Sequence, residues 1–158
     1  MAQVMGLDPG LTERNPLAVV LLDVDGDRLL DHQTYTPDIS LDWQARLPGV
    51  AAFLDRYFSE HPDVELIAYE IPFIGANASV GVMLAHIGGV AVALGWLHGI
   101  PVVRVRPAQA KIALQGHGNA DKGMMIDAAL ARWGVELCKD EADAGGVALS
   151  GVELHKET

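Results

Sequence analysis

The sequence predicts an α/β domain with a mixed sheet, in which three antiparallel strands join parallel strands and helices cover both faces. Three observations predict this class. β-rich runs separated by turn signals open the chain, an apolar pattern at helical spacing follows, and later strands alternate with helical segments. A chain of 158 residues is long enough for one domain, which we place at residues 1–150, with a frayed tail at 151–158.

The strands follow the order that this class requires. Residues 3–7 are predicted to form the first strand and residues 17–24 the second. Asp25-Gly26 is a hairpin signal, so "DRLLDHQTYT" returns as a third, antiparallel strand. The two remaining strands are predicted at residues 63–70 and 100–105.

Helices are predicted between and after these strands. Apolar spacing indicates one within residues 40–60, which we expect to begin at Pro48 because proline favours the first helical position. A second helix covers residues 77–98, and Pro107 opens a short third one. Further helices are predicted at residues 120–133 and from Asp140 onward.

Charge is unevenly distributed along the chain. The net charge of −10 argues against non-specific adhesion to nucleic acid. Residues 71–120 nevertheless contain no acidic residue and three basic ones, Arg104, Arg106 and Lys111. Such a segment can face a polyanion, and an apolar core segment explains much of the same pattern.

Cysteine usage and the N-terminus bear on the compartment. Cys138 is the only cysteine, which excludes an internal disulfide framework and suits a reducing environment. The N-terminus lacks the basic and apolar regions of a signal peptide. We therefore expect a cytoplasmic protein.

The predicted helix at residues 77–98 is apolar on every side. Its 18 residues from Val80 to Leu97 carry no formal charge, which reaches the length of a membrane span. Four glycines, His86 and the absence of flanking basic residues favour instead a helix that is buried in protein. One face can pack on the sheet, and the other then needs a partner subunit. We expect a homodimer through residues 77–98 and no membrane association.

Four acidic residues stand where apolar elements stop. Asp8 and Glu70 each end a strand, and Asp140 and Asp143 lie three apart on one helix face, with Glu141 pointing elsewhere. Taken singly, such residues are more often turn or capping groups. A cluster of four carboxylates cannot stay fully ionised without cations. Mg²⁺ and Mn²⁺ prefer oxygen ligands, and a pair of such ions can cleave a phosphodiester.

Four segments in register resemble one known family. "GLDPG", "AYEIPF", "PAQAKIALQGHGNADKG" and "DEADA" occur in the order and spacing of the RuvC-type Holliday-junction resolvases, from residue 4 to about residue 150. The resemblance implies a ribonuclease-H-like fold and a homodimeric endonuclease that nicks four-way DNA junctions symmetrically, leaving 5′-phosphates. It also implies two Mg²⁺ or Mn²⁺ ions in each active site.

The same resemblance implies roles for individual residues. Lys111 and Lys122 match lysines that act near the scissile phosphate, although the residues alone favour simple surface lysines. Phe73 matches an aromatic that stacks at the junction centre, whereas single-sequence reasoning prefers a core aromatic. The positions that match the metal-binding carboxylates are Asp8, Glu70, Asp140 and Asp143.

Three further residues are candidates for DNA contacts. Arg104 and Arg106 alternate along a predicted strand, so they share a face and either contact phosphate or form ion pairs. His117 lies between two glycines in a turn, where it is either a donor to phosphate or simply exposed.

The chain departs from the family pattern in two places. After "GLDPG" it has Arg14, Asn15 and Pro16 where the family has small residues, so we expect a different loop shape beside the metal site. Gly145 and Gly146 replace alanine and leucine. Because glycine costs a helix interior about 1 kcal/mol relative to alanine, we expect the last helix to be short or bent.

Three other functions remain open from the sequence. A nuclease for RNA–DNA hybrids or other branched DNA uses the same carboxylates but has no need of a dimer helix. A non-catalytic junction-binding protein is expected to lack part of the carboxylate set, and all four positions are filled. An actin-like or sugar-kinase-like ATPase has a loop resembling "GLDPGLT", but it needs two related domains, for which 158 residues leave no room, and this chain contains no internal repeat.

Overall fold

A five-stranded mixed sheet organises the protein, whose computed structural model describes residues 3–75 and 77–157. The strand order is β3-β2-β1-β4-β5, with β1, β2 and β3 antiparallel and with β4 and β5 parallel to β1. This arrangement confirms the predicted mixed sheet. The strands are β1 (Gln3–Asp8), β2 (Leu17–Asp23), β3 (Arg28–Tyr35), β4 (Leu66–Glu70) and β5 (Val102–Val105).

Helices cover both faces of the sheet, as predicted. They are α1 (Trp43–Glu60), α2 (Ala78–His98), α3 (Pro107–Gln115), α4 (Lys122–Trp133) and α5 (Lys139–Lys156). The first two pack on one face, and α5 packs on the other. The two remaining helices, α3 and α4, lie against α5 rather than forming separate layers on the sheet.

The strands alternate between the two faces, and this alternation decides where their last residues point. In β1, Met5 and Leu7 belong to the core under α1 and α2, whereas Val4 packs with α5. Side chains two apart in a strand share a face. The α5 side of β1 therefore carries Val4, Gly6 and finally Asp8.

Small residues allow α5 to lie directly on the sheet. A Cβ atom on Gly6 would lie 1.9 Å from the carbonyl oxygen of Ala144. A Cβ atom on Gly151 would lie 2.3 Å from the Cβ atom of Ala68 in β4. No larger side chain fits at either glycine without moving backbone, so both glycines keep α5 in close contact with the two central strands.

Gly145 and Gly146 serve the same purpose on the outer side of α5. A Cβ atom on Gly145 would lie 2.8 Å from the ring of Trp133, and one on Gly146 would lie 2.5 Å from the carbonyl oxygen of Ala110. Because neither glycine has a side chain, α4 and α3 can pack closely against α5. The expected shortening of the helix is wrong, because α5 is continuous over 18 residues.

Two other predicted boundaries need correction. α1 begins at Trp43 and contains Pro48, which early in the helix removes only one main-chain hydrogen bond, that to Gln44. The tail predicted from residue 151 is helical as far as Lys156, because Gly151 and Val152 are buried against the sheet. Thr158 lies outside the described residues.

One side of α2 is buried and the other is exposed. Ile87 and Ala91 are fully buried in the core that α2 shares with α1 and the sheet. Val82, Val92 and Trp96 project from the opposite side, and Trp96 is 80% exposed. By length and composition alone this helix is apolar enough to cross a membrane. The exposed side is therefore an unpartnered apolar surface in a single chain.

Replacing Gly6 by alanine should destabilise the fold more than the same replacement at a glycine without close neighbours. Gly6→Ala places a Cβ against the backbone of α5, and we expect a loss of about 2–3 kcal/mol in unfolding free energy. Gly123→Ala is the matched control, since its Cβ would meet only Asp121 Oδ1 at 3.4 Å; it should be neutral or stabilising by up to about 1 kcal/mol. Urea unfolding of both variants measures the difference, and equal effects would contradict the close-packing account.

Candidate active site

Asp8 and Glu70 end two neighbouring parallel strands. The register of β1 and β4 pairs Leu7 with Tyr69, so Asp8 and Glu70 follow at the adjacent carboxyl ends. Open α/β sheets bind ligands at this edge. Both residues also lie on the α5 side of their strands, because Gly6 and Ala68 precede them by two positions and contact α5.

The first turns of α5 bring the other two carboxylates to this edge. Asp140 and Asp143 both lie there, on a helix whose N-terminal end is fixed by Glu141. The Glu141 carboxylate accepts from the Cys138 backbone N–H at 2.9 Å and is 2.9 Å from His32 Nδ1 on β3. As predicted, Glu141 points away from the other two acids, and its role is to hold the helix end.

Burial and mutual repulsion raise the pKa of the strand-end carboxylates. The pKa of Asp8 lies well above its ordinary value, first because of burial and then because of the charges of Glu70, Asp143 and Asp140. The pKa of Glu70 rises to about 7, through burial and then through Asp143. Each of these groups is therefore costly to ionise in the folded protein.

Burial and neighbouring charges also raise the pKa values of the two carboxylates on α5. Burial raises the pKa of Asp143, and repulsion from Asp140 raises it further. Burial also raises the pKa of Asp140, and nearby lysines oppose part of that rise. Because the four groups perturb one another across β1, β4 and α5, the structure brings the four predicted carboxylates into one electrostatic cluster.

Three lysines partly offset this negative charge. Lys111 lowers the pKa values of Glu70 and Asp143, and Lys122 lowers those of Asp140 and Asp143. Lys139, which sequence reasoning did not single out, lowers the pKa of Asp8 as well as those of Asp140 and Asp143. Four carboxylates against three ammonium groups leave the site acidic.

The chemistry of this cluster fits hard divalent cations. All four groups are oxygen donors, the ligands that Mg²⁺ and Mn²⁺ prefer, and every one of their pKa values is raised by burial. Within residues 3–75 and 77–157, no three His, Cys, Asp or Glu side chains are close enough together to coordinate one metal ion as they stand. The carboxylates instead line two cavities at this edge of the sheet.

Two adjoining cavities meet at Asp8. One, of about 410 Å³, is lined by Asp8, Glu70 and Phe73 among others. The second, of about 370 Å³, is lined by Asp8, Lys122, Asp140 and Asp143 together with the loop after β1. Asp8 therefore stands between a space that reaches the exposed Phe73 and a space that holds the α5 carboxylates.

The other predicted contact residues are all exposed, but they lie on different elements of the fold. Phe73 is 83% exposed, which excludes the core-aromatic interpretation. Arg104 is exposed on β5, but Arg106 follows the end of that strand and caps α3, its backbone N–H donating to Gln109 Oε1 at 2.9 Å. Only Arg104 therefore belongs to the strand, and both arginines are exposed. His117 is exposed in the turn between α3 and α4.

Sequence reasoning missed the partners of the loop that follows Asp8. Lys139 Nζ lies 4.0 Å from Asp140 Oδ1 and donates to Asn15 Oδ1 at 3.0 Å. The signal for Lys139 was its position directly before the predicted carboxylate pair. Arg46 has no sequence signal, yet its guanidinium donates to the carbonyl oxygens of Leu11, Leu41 and Ile39 at 2.7, 2.8 and 3.0 Å.

Without metal, stability should fall as pH rises through the range in which Glu70 ionises. A carboxyl group with a higher pKa in the folded than in the unfolded state binds more protons when folded, so unfolding free energy decreases with rising pH. For Glu70 this interval runs from about 4.5 to about 7. In EDTA, the melting temperature of the wild type minus that of Glu70→Gln should decrease across this interval, and saturating Mg²⁺ should flatten the decrease. A difference that is independent of pH would contradict the burial of an ionisable Glu70.

The chain matches one family over almost its whole length. The family model described as crossover junction endodeoxyribonuclease RuvC matches residues 4–150. The crossover junction endodeoxyribonuclease RuvC of Methylococcus capsulatus is 31% identical over 161 residues, covering 100% of this chain and 94% of that protein. The protein of the same name from Leifsonia xyli is 32% identical over 137 residues, which cover 82% of this chain and only 62% of the relative's length.

Solved structures agree on the fold. The structure of Thermus thermophilus RuvC in complex with Holliday junction substrate superposes with a TM-score of 0.84, covering 99% of this chain and 96% of that one at 23% identity. That likeness confirms the ribonuclease-H-like fold that the family resemblance implied. Together with the family match, it shows that the chain belongs to the RuvC family of crossover junction endodeoxyribonucleases.

Proposed function

We propose that this protein is a metal-dependent endonuclease that resolves four-way DNA junctions. The observation that carries the proposal is a cluster of four carboxylates whose pKa values are all raised. Asp8 and Glu70 contribute from the carboxyl ends of two parallel strands, and Asp140 and Asp143 contribute from the first turns of α5. Membership of the RuvC family supports junction DNA as the substrate.

The four carboxylates are the proposed ligands of Mg²⁺ or Mn²⁺, with two ions per site during cleavage. Such a pair of ions, when bound, activates a water and stabilises the leaving oxygen of a phosphodiester. Asp8 adjoins both the cavity of Glu70 and the cavity of the α5 carboxylates, so it would hold a cation together with either group. Binding of cations also removes the repulsion that raises the pKa values of the cluster.

Basic and aromatic residues around the cluster are the proposed DNA contacts. Lys111 and Lys122 flank the carboxylates from α3 and α4, where an ammonium group stabilises charge that develops on a phosphate. Phe73 is exposed at the rim of the cavity that contains Glu70, which suits stacking on an unpaired base. Arg104, Arg106 and His117 are exposed and are proposed to contact the backbone.

Two copies are proposed to pair through α2. The helix buries one side on the sheet and exposes apolar side chains on the other, including Val82, Val92 and Trp96. A groove of about 540 Å³ beside them is lined almost entirely by apolar groups. A two-fold dimer places two equivalent sites opposite a two-fold symmetric junction. This pairing also covers the surface that makes α2 resemble a membrane span, so we propose a cytoplasmic protein without membrane contact.

Cleavage of a labelled four-way junction tests the proposed activity. In Mg²⁺ or Mn²⁺ the wild type should make paired symmetric nicks that leave 5′-phosphates, and EDTA should abolish them, while a matched linear duplex stays intact. Asp8→Asn, Glu70→Gln and Asp143→Asn should each lower kcat/KM by at least about a hundredfold. Asp127→Asn, an exposed carboxylate on α4, is the control.

Cleavage of both substrates would replace this proposal with a general nuclease. Tight junction binding without any cleavage would replace it with a binding protein. Unchanged cleavage by Asp8→Asn would remove the carboxylate cluster from the mechanism.

A substitution at Gly89 tests the proposed dimer without touching the core. A Cβ atom at Gly89 meets nothing within 4 Å, and the residue lies one heptad from both Val82 and Trp96. Gly89→Arg should therefore keep or raise the melting temperature of the single chain while converting a dimer to a monomer in light scattering. Gly89→Ala should stay dimeric. A wild type that is monomeric at micromolar concentration would contradict the pairing.

A further inference from the structure

The loop after Asp8 carries a hydrogen-bond donor that the proposed function does not yet use. The β1–β2 loop, residues 9–16, contains Asn15, one of the residues at which this chain departs from the family pattern. Asn15 lines the same cavity as Asp8, Lys122 and the α5 carboxylates. Asn15 therefore borders the space beside the carboxylate cluster.

Lys139 determines which end of the Asn15 amide remains available. The Lys139 ammonium donates to Asn15 Oδ1 at 3.0 Å. Because an ammonium group has no acceptor, the amide oxygen must face Lys139 and the amide NH₂ must face away from it. In the part of the chain that the structure describes, no side chain or carbonyl accepts from Asn15 Nδ2. The free end of the amide is thus a pure donor.

The β1–β2 loop is rigid enough to hold that donor in place. A Cβ atom on Gly10 would lie 2.2 Å from the carbonyl oxygen of Asn15, so the two sides of the loop touch through backbone. Leu11 is 1% exposed, and its carbonyl accepts from Arg46 at 2.7 Å. Asn15 itself closes a turn with Thr12 through two hydrogen bonds of 3.1 Å.

The chemistry of the free donor decides what it binds. Divalent cations bind amide oxygens, but the positively charged Lys139 ammonium lies 3.0 Å from the oxygen of Asn15 and repels a cation there. A donor beside a cation-binding cluster suits an anionic oxygen instead, and phosphate oxygens are the main targets of asparagine side chains on DNA backbones. We propose that Asn15, held by Lys139, donates from Nδ2 to a phosphate oxygen of the DNA strand that enters the site.

In this arrangement Asn15 is a substrate-binding residue and Lys139 is its positioning residue. The inference rests on the proposed junction cleavage. Lys139 also offsets the charge of Asp8, Asp140 and Asp143, so its variants are compared at saturating Mg²⁺. Asn15 carries no charge, so Asn15→Ala leaves the net charge of the cluster unchanged.

Steady-state cleavage of the four-way junction separates the roles. Asn15→Ala and Asn15→Asp should each raise KM by about tenfold to a hundredfold, the effect of losing one hydrogen bond to a charged group, with kcat within about threefold of the wild type. Asn15→Asp keeps an acceptor for Lys139, so hydrogen exchange of residues 9–16 should stay as slow as in the wild type. Lys139→Arg should retain wild-type KM, and Glu13→Gln in the same loop is the matched control.

The Lys139→Met change should raise KM by the same factor as Asn15→Ala, and the double variant should be no worse than either single one. A wild-type KM for Asn15→Ala would overturn the inference, and so would a lower kcat at unchanged KM or additive effects in the double variant. A wild type that does not cleave the junction would overturn the proposed function itself. Cleavage by the wild type with no effect at Asn15 would overturn only this inference.

Discussion

The direct packing of α5 on β1 and β4 is the contact on which the rest of the site depends. Gly6 admits the backbone of α5 next to β1, and Gly151 admits Ala68 of β4. The side chains two residues after Gly6 and Ala68 are those of Asp8 and Glu70. The contact that places α5 on the sheet therefore also brings the carboxylates of α5 next to the two strand-end carboxylates. A larger residue at Gly6 would separate the two halves of the cluster. The active site is thus a consequence of how closely one helix approaches two strands.

That closeness has an electrostatic cost, and the surrounding residues offset only part of it. Burial and repulsion raise the pKa of each carboxylate in the cluster, while lysines from α3, α4 and α5 lower it. The site is therefore less stable when its carboxylates are ionised and no cation is present, which couples folding stability to metal binding. The partly buried pair of Glu141 and His32 holds the N-terminus of α5 against β3 despite this repulsion. Positioning of the helix end and charge compensation thus come from different residues.

The sequence predicted the sheet and the carboxylates because both leave local patterns. Acidic residues at strand ends are visible as such, and four segments in register carry the family resemblance. Contacts between distant segments leave no such pattern. Nothing local to Asn15 indicates Lys139, and nothing local to Arg46 indicates the carbonyl of Leu11. The prediction of a shortened last helix was wrong for the same reason. The low helix propensity of Gly145 and Gly146 is a local property, whereas the close approach of Trp133 and Ala110 that requires these glycines is not.

Asp8, Glu70, Asp140 and Asp143 are proposed to form one divalent-cation site. Anomalous scattering at the manganese edge, recorded from crystals soaked in Mn²⁺, measures this most directly. We expect one or two anomalous peaks enclosed by these four carboxylates, with Lys111, Lys122 and Lys139 around them. Manganese bound elsewhere, with the cluster free of anomalous density at saturating Mn²⁺, would contradict it.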